Sequence, residues 1–397
     1  MFKRLFIIIT LIGLGCLAST TIYHELKVQA QAQVQVVNGY QGGGVVDSEK
    51  PRIQTITLTA AGDCLMHSQQ IRSGLQPDGS YCFDHFFIDV KDLINEGDYS
   101  STDFEAALAG PETGYTGYPM FNSPDAVATA FKEAGFDLVV SANNHSLDRG
   151  YKGAIRTLDV LQKAGLDTVG TYRNVEETQP FLIKDIKGVK VGYLAYTYGT
   201  NGIPVPREHP EFINLLDRDK IVADIEALRP QVDVLILVLH WGNEYQPHPT
   251  GEQVVMAHEF LNAGTDIILG SHPHVIQTME TVRVGDKDKF VIYSMGNFIS
   301  AQNGRERNSG IVLKMKFSKN FTSGETILDE VSYTPTYSHP YYDQGKLKYR
   351  VIPVEAGMER IKQGQDPFMS ARDLPILEAV LQSTRSQLGE PYYRIKN

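Results

Sequence analysis

The feature that most constrains the fold is an alternation of short apolar segments with helix-period segments between residues 53 and 317. The apolar segments are rich in β-branched residues, and Gly165 and Gly264 follow helix-period segments as stop signals. Such alternation predicts βαβ units and a sheet covered by helices. The predicted strands are 53–60, 136–140, 189–198, 232–239, 266–269, 290–293 and 311–317; the predicted helices are 123–134, 151–164, 217–228, 252–262 and 373–388.

Residue types that bind metal follow several of these predicted strands. Asp63 follows the first strand, Asn144 follows 136–140, His240 follows 232–239, and His272 and His274 follow 266–269. A single histidine at a strand end is usually structural. Because ligands of α/β folds gather at the carboxyl ends of strands, four such ends predict one shared site.

Local spacing supports that site. In "GSHPH", His272 precedes a proline, which favours extended backbone, so His272 and His274 are expected to project to one side. In "STDFEAAL", Asp103 and Glu105 have the same spacing, with Phe104 packing the other way. The alternative for this acidic pair is a solvated strand face.

The stretch "SANNHSLDRG" begins directly after the strand 136–140. If its backbone is extended, Asn144 and His145 face different directions, so one could bind metal while the other faces a substrate. The alternative is a polar turn whose Asn and Asp side chains bond their own backbone.

Composition excludes some classes of protein. The chain has 397 residues, of which 42% are hydrophobic and 21% charged, as expected of a folded protein with a large core. Its net charge of −10 argues against nucleic acid and anionic membranes as general partners.

The N-terminal segment predicts export. Lys3 and Arg4 precede the apolar run 5–18, and Ala30-Gln31-Ala32 is a candidate cleavage site, with an uncleaved anchor as the alternative. The predicted organisation is a signal or anchor (1–32), a Gln- and Gly-rich linker (33–52), a domain (53–318) and a C-terminal extension packed on it (319–397). The chain would then lie on the outer face of the cytoplasmic membrane or be secreted.

Several other residues have open interpretations. Cys64 and Cys82 could form a disulfide or be two small buried side chains. Trp241 is expected to pack beside the site, Glu244 to contact a ligand residue, and Asn297 to bond a ligand or substrate.

The ordered motifs "AGD", "DFE", "ANNHSLDRG", "LHWGNEY", "GSHPH" and "YSMGNF" resemble those of the CapA family of capsule-synthesis proteins. That family is linked to poly-γ-glutamate synthesis and is placed within the calcineurin-like metallophosphoesterases. The resemblance covers roughly residues 55 to 315. It implies an α/β fold, a four-layer αββα sandwich, that carries a two-metal site.

The resemblance also implies a role for each motif residue. Asp63 and His274 would bind the first ion, Glu105 would bridge, and Asn144, His240 and His272 would bind the second. His145 would be the general acid, oriented by Asp148. The ions would be two divalent metals, and mixed nitrogen and oxygen ligands suit Mn, Fe or Zn.

Three positions depart from the family pattern. Leu65 stands where a histidine normally binds the first ion, with His67 a candidate substitute; Asp103 replaces an asparagine; and Ser146 replaces an aspartate.

Two functions therefore stay open. One is a metal-dependent hydrolase that acts on a phosphoester, on a capsule polymer or on its precursor. The other is a non-catalytic surface component that works with membrane subunits of a capsule-synthesis complex. Neither predicts nucleic acid as a partner.

Overall fold

The computed structural model describes residues 52–173 and 181–389. The predicted signal or anchor and all but the last residue of the predicted linker lie outside these ranges. The strands are β1 (Ile53–Cys64), β2 (Tyr99–Phe104), β3 (Leu138–Val140), β4 (Asp167–Val169), β5 (Phe181–Ile186), β6 (Val189–Thr197), β7 (Val234–His240), β8 (Ile267–Ser271), β9 (Met279–Val284), β10 (Lys287–Ile292), β11 (Asn297–Ile299), β12 (Ser309–Asn320), β13 (Thr326–Asp343) and β14 (Lys346–Pro353). The α-helices are α1 (Ser68–Gly74), α2 (Lys91–Ile94), α3 (Ala126–Ala134), α4 (Gly150–Lys163), α5 (Arg218–Leu228), α6 (Gly251–Ala263), α7 (Val354–Lys362) and α8 (Leu374–Leu388).

These strands form two sheets. The eight-stranded sheet has the order β14-β13-β12-β1-β2-β3-β4, and β11 also pairs with β1. Strands β1 to β4 are parallel, whereas β12, β13 and β14 are antiparallel neighbours. The six-stranded sheet has the order β5-β6-β7-β8-β10-β9, with β6, β7, β8 and β10 parallel.

Strand β7 shows why the sheets stack. Its run is apolar throughout and buried on both faces, as expected of an interior parallel strand. Ile236 and Val238 face the core between the two sheets, whereas Leu235 and Leu237 face the core under α5 and α6. Helices α3 and α4 cover the outer face of the other sheet. The result is the predicted four-layer α/β/β/α arrangement, so the fold class is confirmed.

The chain after residue 318 contributes to this same body. Strands β13 and β14 extend the eight-stranded sheet, and α7 and α8 pack on them through Val354, Leu377 and Val380.

Within the described residues, no helix combines the length and apolar character needed to cross a bilayer. Cys64 and Cys82 are both free thiols, which removes the disulfide from the two alternatives.

Candidate metal centre

Strand ends from both sheets bring one group of polar side chains together. Asp63 lies at the end of β1, Glu105 directly follows β2, and His240 ends β7. Because β8 ends at Ser271, His272 and His274 lie in the loop that follows it. None of these side chains is more than 3% exposed. The predicted ligand residues are therefore neighbours inside the protein.

Their ligand atoms form two overlapping groups. Atoms of Asp63, Glu105 and His274 lie within 4.8 Å of one another, and so do atoms of Glu105, His240 and His272. Glu105 belongs to both groups, with Oε1 3.7 Å from His240 Nε2 and Oε2 3.8 Å from His274 Nδ1. This is the arrangement expected if one carboxylate bridges two ions.

Four buried polar atoms of this cluster have no hydrogen-bond partner. They are both oxygens of Glu105, Oδ1 of Asp63 and Nδ1 of His272. Burial, together with the nearby carboxylates of Asp63 and Asp103, raises the pKa of Glu105 well above its ordinary value. A carboxylate held in this way is costly without a cation. The donor set of carboxylate, imidazole and carboxamide therefore fits divalent transition metals.

His240 has an acceptor oxygen close to each ring nitrogen, and the neutral ring can donate a hydrogen bond to only one of them. Its Nδ1 lies 2.8 Å from Asp103 Oδ2, and its Nε2 lies 2.7 Å from Asn144 Oδ1. Burial lowers the pKa of His240 to about 3, so the ring is neutral at neutral pH and able to bind metal. Asp103 in turn accepts a hydrogen bond from Asn143 Nδ2 at 3.1 Å. Sequence reasoning missed this orienting role of Asp103 and Asn143.

The backbone of the "GSHPH" loop differs from the prediction. His272 was expected to be extended because a proline follows it, but its φ is +93°, and that of His274 is +58°. The preference is overridden because the His272 N–H donates to Asp63 Oδ2 at 3.2 Å, which ties the loop to β1. The two rings still approach, with centroids 5.9 Å apart. His274 Nδ1 lies 3.0 Å from Asn297 Oδ1, as expected of Asn297.

The extended backbone predicted around His145 is also wrong. The segment is a polar turn, in which Ser146 N–H donates to Asn143 O and Asp148 N–H donates to His145 O, each at 3.2 Å. His145 still faces the centre, because its Nε2 lies 3.8 Å from Glu105 Oε1 while its Nδ1 lies 2.7 Å from Asp148 Oδ2.

Two residues at the mouth of the site carry no sequence signal. Exposed Asn201, in the loop between β6 and α5, accepts a hydrogen bond from Asn144 Nδ2 at 3.1 Å. Its own Nδ2 lies 3.5 Å from His145 Nε2. Tyr198 is 46% exposed, and its ring centroid lies 4.5 Å from that of His272. Both residues reach the site only through tertiary structure.

The remaining candidates lie as follows. Leu65 is buried, and His67 accepts the Ala301 N–H at Nδ1, at 3.4 Å. Trp241 is a core residue whose Nε1 donates to Tyr293 O at 3.0 Å. Glu244 is exposed, and its carboxylate lies within 4.8 Å of ring nitrogens of His272 and His274.

Comparison with known proteins places this site in a family. Over 289 residues the chain is 28% identical to "Capsule biosynthesis protein CapA" of Bacillus anthracis, which covers 70% of this chain and 67% of that protein. Over 288 residues it is 25% identical to "PGA biosynthesis protein CapA" of Bacillus subtilis (strain 168), which covers 69% and 72%. A solved NAD nucleotidase of Haemophilus influenzae aligns with a TM-score of 0.44 and 11% identity, over 86% of this chain and 58% of that chain. The model of the family described as "Bacterial capsule synthesis protein PGA_cap" matches residues 57–302, and the chain belongs to that family.

Proposed function

We propose that this protein is an exported, metal-dependent hydrolase of capsule-polymer synthesis, acting on a phosphoester, on the polymer or on its precursor. The observation that carries the proposal is the buried cluster around Glu105, whose unpartnered atoms a cation would satisfy, beside the hydrogen-bonded pair of His145 and Asp148. The relatives that are described as capsule or PGA biosynthesis proteins support the biological setting.

Each ion position has its own ligand set. Asp63, Glu105 and His274 would hold the first ion, whereas Glu105, Asn144, His240 and His272 would hold the second. When bound, two such ions supply electrostatic stabilisation of the attacked group and activate water.

The protein's own residues handle the proton. Asp148 Oδ2 lies 2.7 Å from His145 Nδ1 and also accepts the Phe121 N–H at 2.7 Å, so this one oxygen is held by two groups. His145 Nε2 is thereby left facing the centre, where it can donate a proton to a leaving group. Asn201 Nδ2, 3.5 Å from that nitrogen, would donate to it from the exposed side once the proton has been given up.

The second candidate is a non-catalytic component that binds the capsule polymer and membrane subunits of its synthesis complex. The observation that favours it is Leu65, which packs in the apolar core although the resemblance implies a first-ion ligand at its motif position.

Removing two ligands of the second position is expected to remove the ion held there. The full-length double variant His240→Ala, His272→Ala loses two imidazoles from that position and should be compared with the unsubstituted chain by elemental analysis after dialysis. His258→Ala is the matched control, because this ring lies on α6 beside Glu280. Unchanged metal content in the double variant would contradict the proposed centre. A phosphodiester and phosphomonoester screen of the same unsubstituted sample separates the hydrolase from the scaffold.

The location can be tested independently. The basic residues and the apolar run at the N-terminus are expected to direct export. Protease added to intact cells that lack a thick wall should therefore degrade the protein, while a cytoplasmic protein of the same cells stays intact. If degradation requires lysis, export is wrong.

A further inference from the structure

We infer that Glu244 is an additional metal ligand, which completes the first ion position where Leu65 leaves a ligand missing. The inference rests on the metal centre of the proposed function and not on its hydrolytic activity. Without Glu244, the first position has only Asp63, Glu105 and His274 from the protein. A four-coordinate or larger ion needs further donors there.

The geometry favours Glu244 over His67 as the missing ligand of the first position. Its carboxylate and ring nitrogens of His272 and His274 all lie within 4.8 Å of one another. Glu244 therefore lies beside His274, the imidazole of the first position, and also beside His272, whose Nδ1 is buried without a hydrogen-bond partner. His67 instead belongs to none of the ligand groups in the described residues, and its Nδ1 already accepts the Ala301 N–H.

The backbone holds Glu244 against the histidine loop from both sides. Before it, Trp241 N–H donates to Ser271 O at 3.2 Å; after it, Tyr245 N–H donates to Pro273 O at 2.8 Å. Between them, Gly242 has a φ of +86°, and a Cβ there would lie 2.6 Å from the Gln253 side chain. The turn that directs Glu244 toward the site therefore requires glycine at 242.

Tyr245 adds a second support. It has a φ of +64°, an uncommon value for a residue with a side chain. Its ring lies between His274, at a centroid distance of 5.9 Å, and the guanidinium of Arg307, 3.9 Å from the ring centroid. This contact on two sides holds the segment next to Glu244 over the first position.

A ligand from Glu244 would make the two positions chemically different. The first would have three carboxylates and one imidazole, from Asp63, Glu105, Glu244 and His274. The second would have two imidazoles, one carboxamide and the shared carboxylate. Oxygen-rich sites suit Mn²⁺, whereas imidazole suits Zn²⁺. Because Glu244 is exposed, it closes the centre on its solvent side and can be changed with little effect on the core.

Manganese binding to the full-length chain tests this. The unsubstituted protein, stripped of metal, should bind two Mn²⁺ by calorimetry and by the loss of free Mn²⁺ signal in electron paramagnetic resonance. Glu244→Gln should bind one of them more weakly by about tenfold or more, the lower end of what even outer partners of metal ligands cost. Glu226→Gln, the same charge change on the exposed face of α5, should bind as the unsubstituted chain does.

The ion that is lost identifies the position. Glu244→Gln and His274→Ala should weaken the same ion, so their double variant should still bind the other at unchanged affinity, whereas Glu244→Gln with His240→Ala should weaken both. Two ions at unchanged affinity in Glu244→Gln, or fewer than two in the unsubstituted chain, would overturn the inference. Loss of the ion on His67→Ala but not on Glu244→Gln would do so too. If the metal results hold and no ester is hydrolysed, only the proposed hydrolase fails.

Discussion

Replacing Glu105 with glutamine is expected to stabilise the metal-free protein at neutral pH and to remove the stabilisation that metal gives the unsubstituted chain. Both oxygens of Glu105 are buried without hydrogen bonds, and other carboxylates surround it. Without an ion, burying the ionised Glu105 carboxylate carries a desolvation cost. A neutral amide of the same shape largely avoids that cost. With an ion at about 1,000 times its Kd, the unsubstituted fold gains about 4 kcal/mol, and Glu105→Gln should lose most of that gain.

The pH dependence of the folding stability follows from the direction in which the pKa of Glu105 is shifted. The pKa of Glu105 is raised in the folded state, so folding favours its protonated form. Below the ordinary carboxyl pKa, Glu105 is protonated in both the folded and the unfolded state. The unsubstituted protein and Glu105→Gln should then have similar free energies of unfolding. As the pH rises through the raised pKa, the metal-free unsubstituted protein loses stability relative to Glu105→Gln. The advantage of the variant should therefore grow from acid to neutral pH.

Chemical unfolding with and without Mn²⁺, at several pH values, measures both effects. Glu226→Gln removes an exposed carboxylate from α5 and should follow the unsubstituted protein throughout. If Mn²⁺ raised the free energy of unfolding of Glu105→Gln as much as that of the unsubstituted chain, Glu105 would not be a ligand.

The sequence predicted the parallel strands β1, β3, β6, β7, β8 and β10, because their signals are local, but the predicted strands did not include β2 and β4. The run of β7 is apolar at every position and buried on both faces, and glycines follow α4 and α6. The region 326–353 was assigned only to a packed extension, although it forms β13 and β14. These strands begin with exposed and half-buried residues and contain several prolines and charges, which weakens the apolar signal even though each has a run of five buried residues.

The sequence predicted which residues meet at the candidate site, but not the backbone conformation and contacts by which they meet. Asp63, His240 and His272 could be grouped because ligands of α/β folds gather at the carboxyl ends of strands, although β1 lies in one sheet and β7 and β8 in the other. The positive φ of His272 could not be found this way, because a hydrogen bond to Asp63, 209 residues earlier, outweighs the preference imposed by the following proline. Asn201 was missed for the same reason, since its contacts with Asn144 and His145 exist only in the folded chain.

His145→Ala is expected to keep metal binding and most of the stability while lowering hydrolytic turnover by roughly 10²-fold or more, the range of a general acid. His145 belongs to neither ligand group, although its Nε2 lies 3.8 Å from Glu105 Oε1. Removing the ring therefore removes a proton donor and no ligand. Asp148→Asn should lower turnover less, because His145 stays in place but loses the carboxylate that fixes its tautomer.

A purely structural His145 predicts the reverse pattern. The ring packs edge-to-face on Phe121 at 4.6 Å, so a structural role would appear as a lower free energy of unfolding with unchanged turnover per folded molecule. Turnover, metal content and unfolding should be measured on the same preparations, with His258→Ala as the control for loss of an imidazole. Unchanged turnover in His145→Ala would remove His145 from the chemistry.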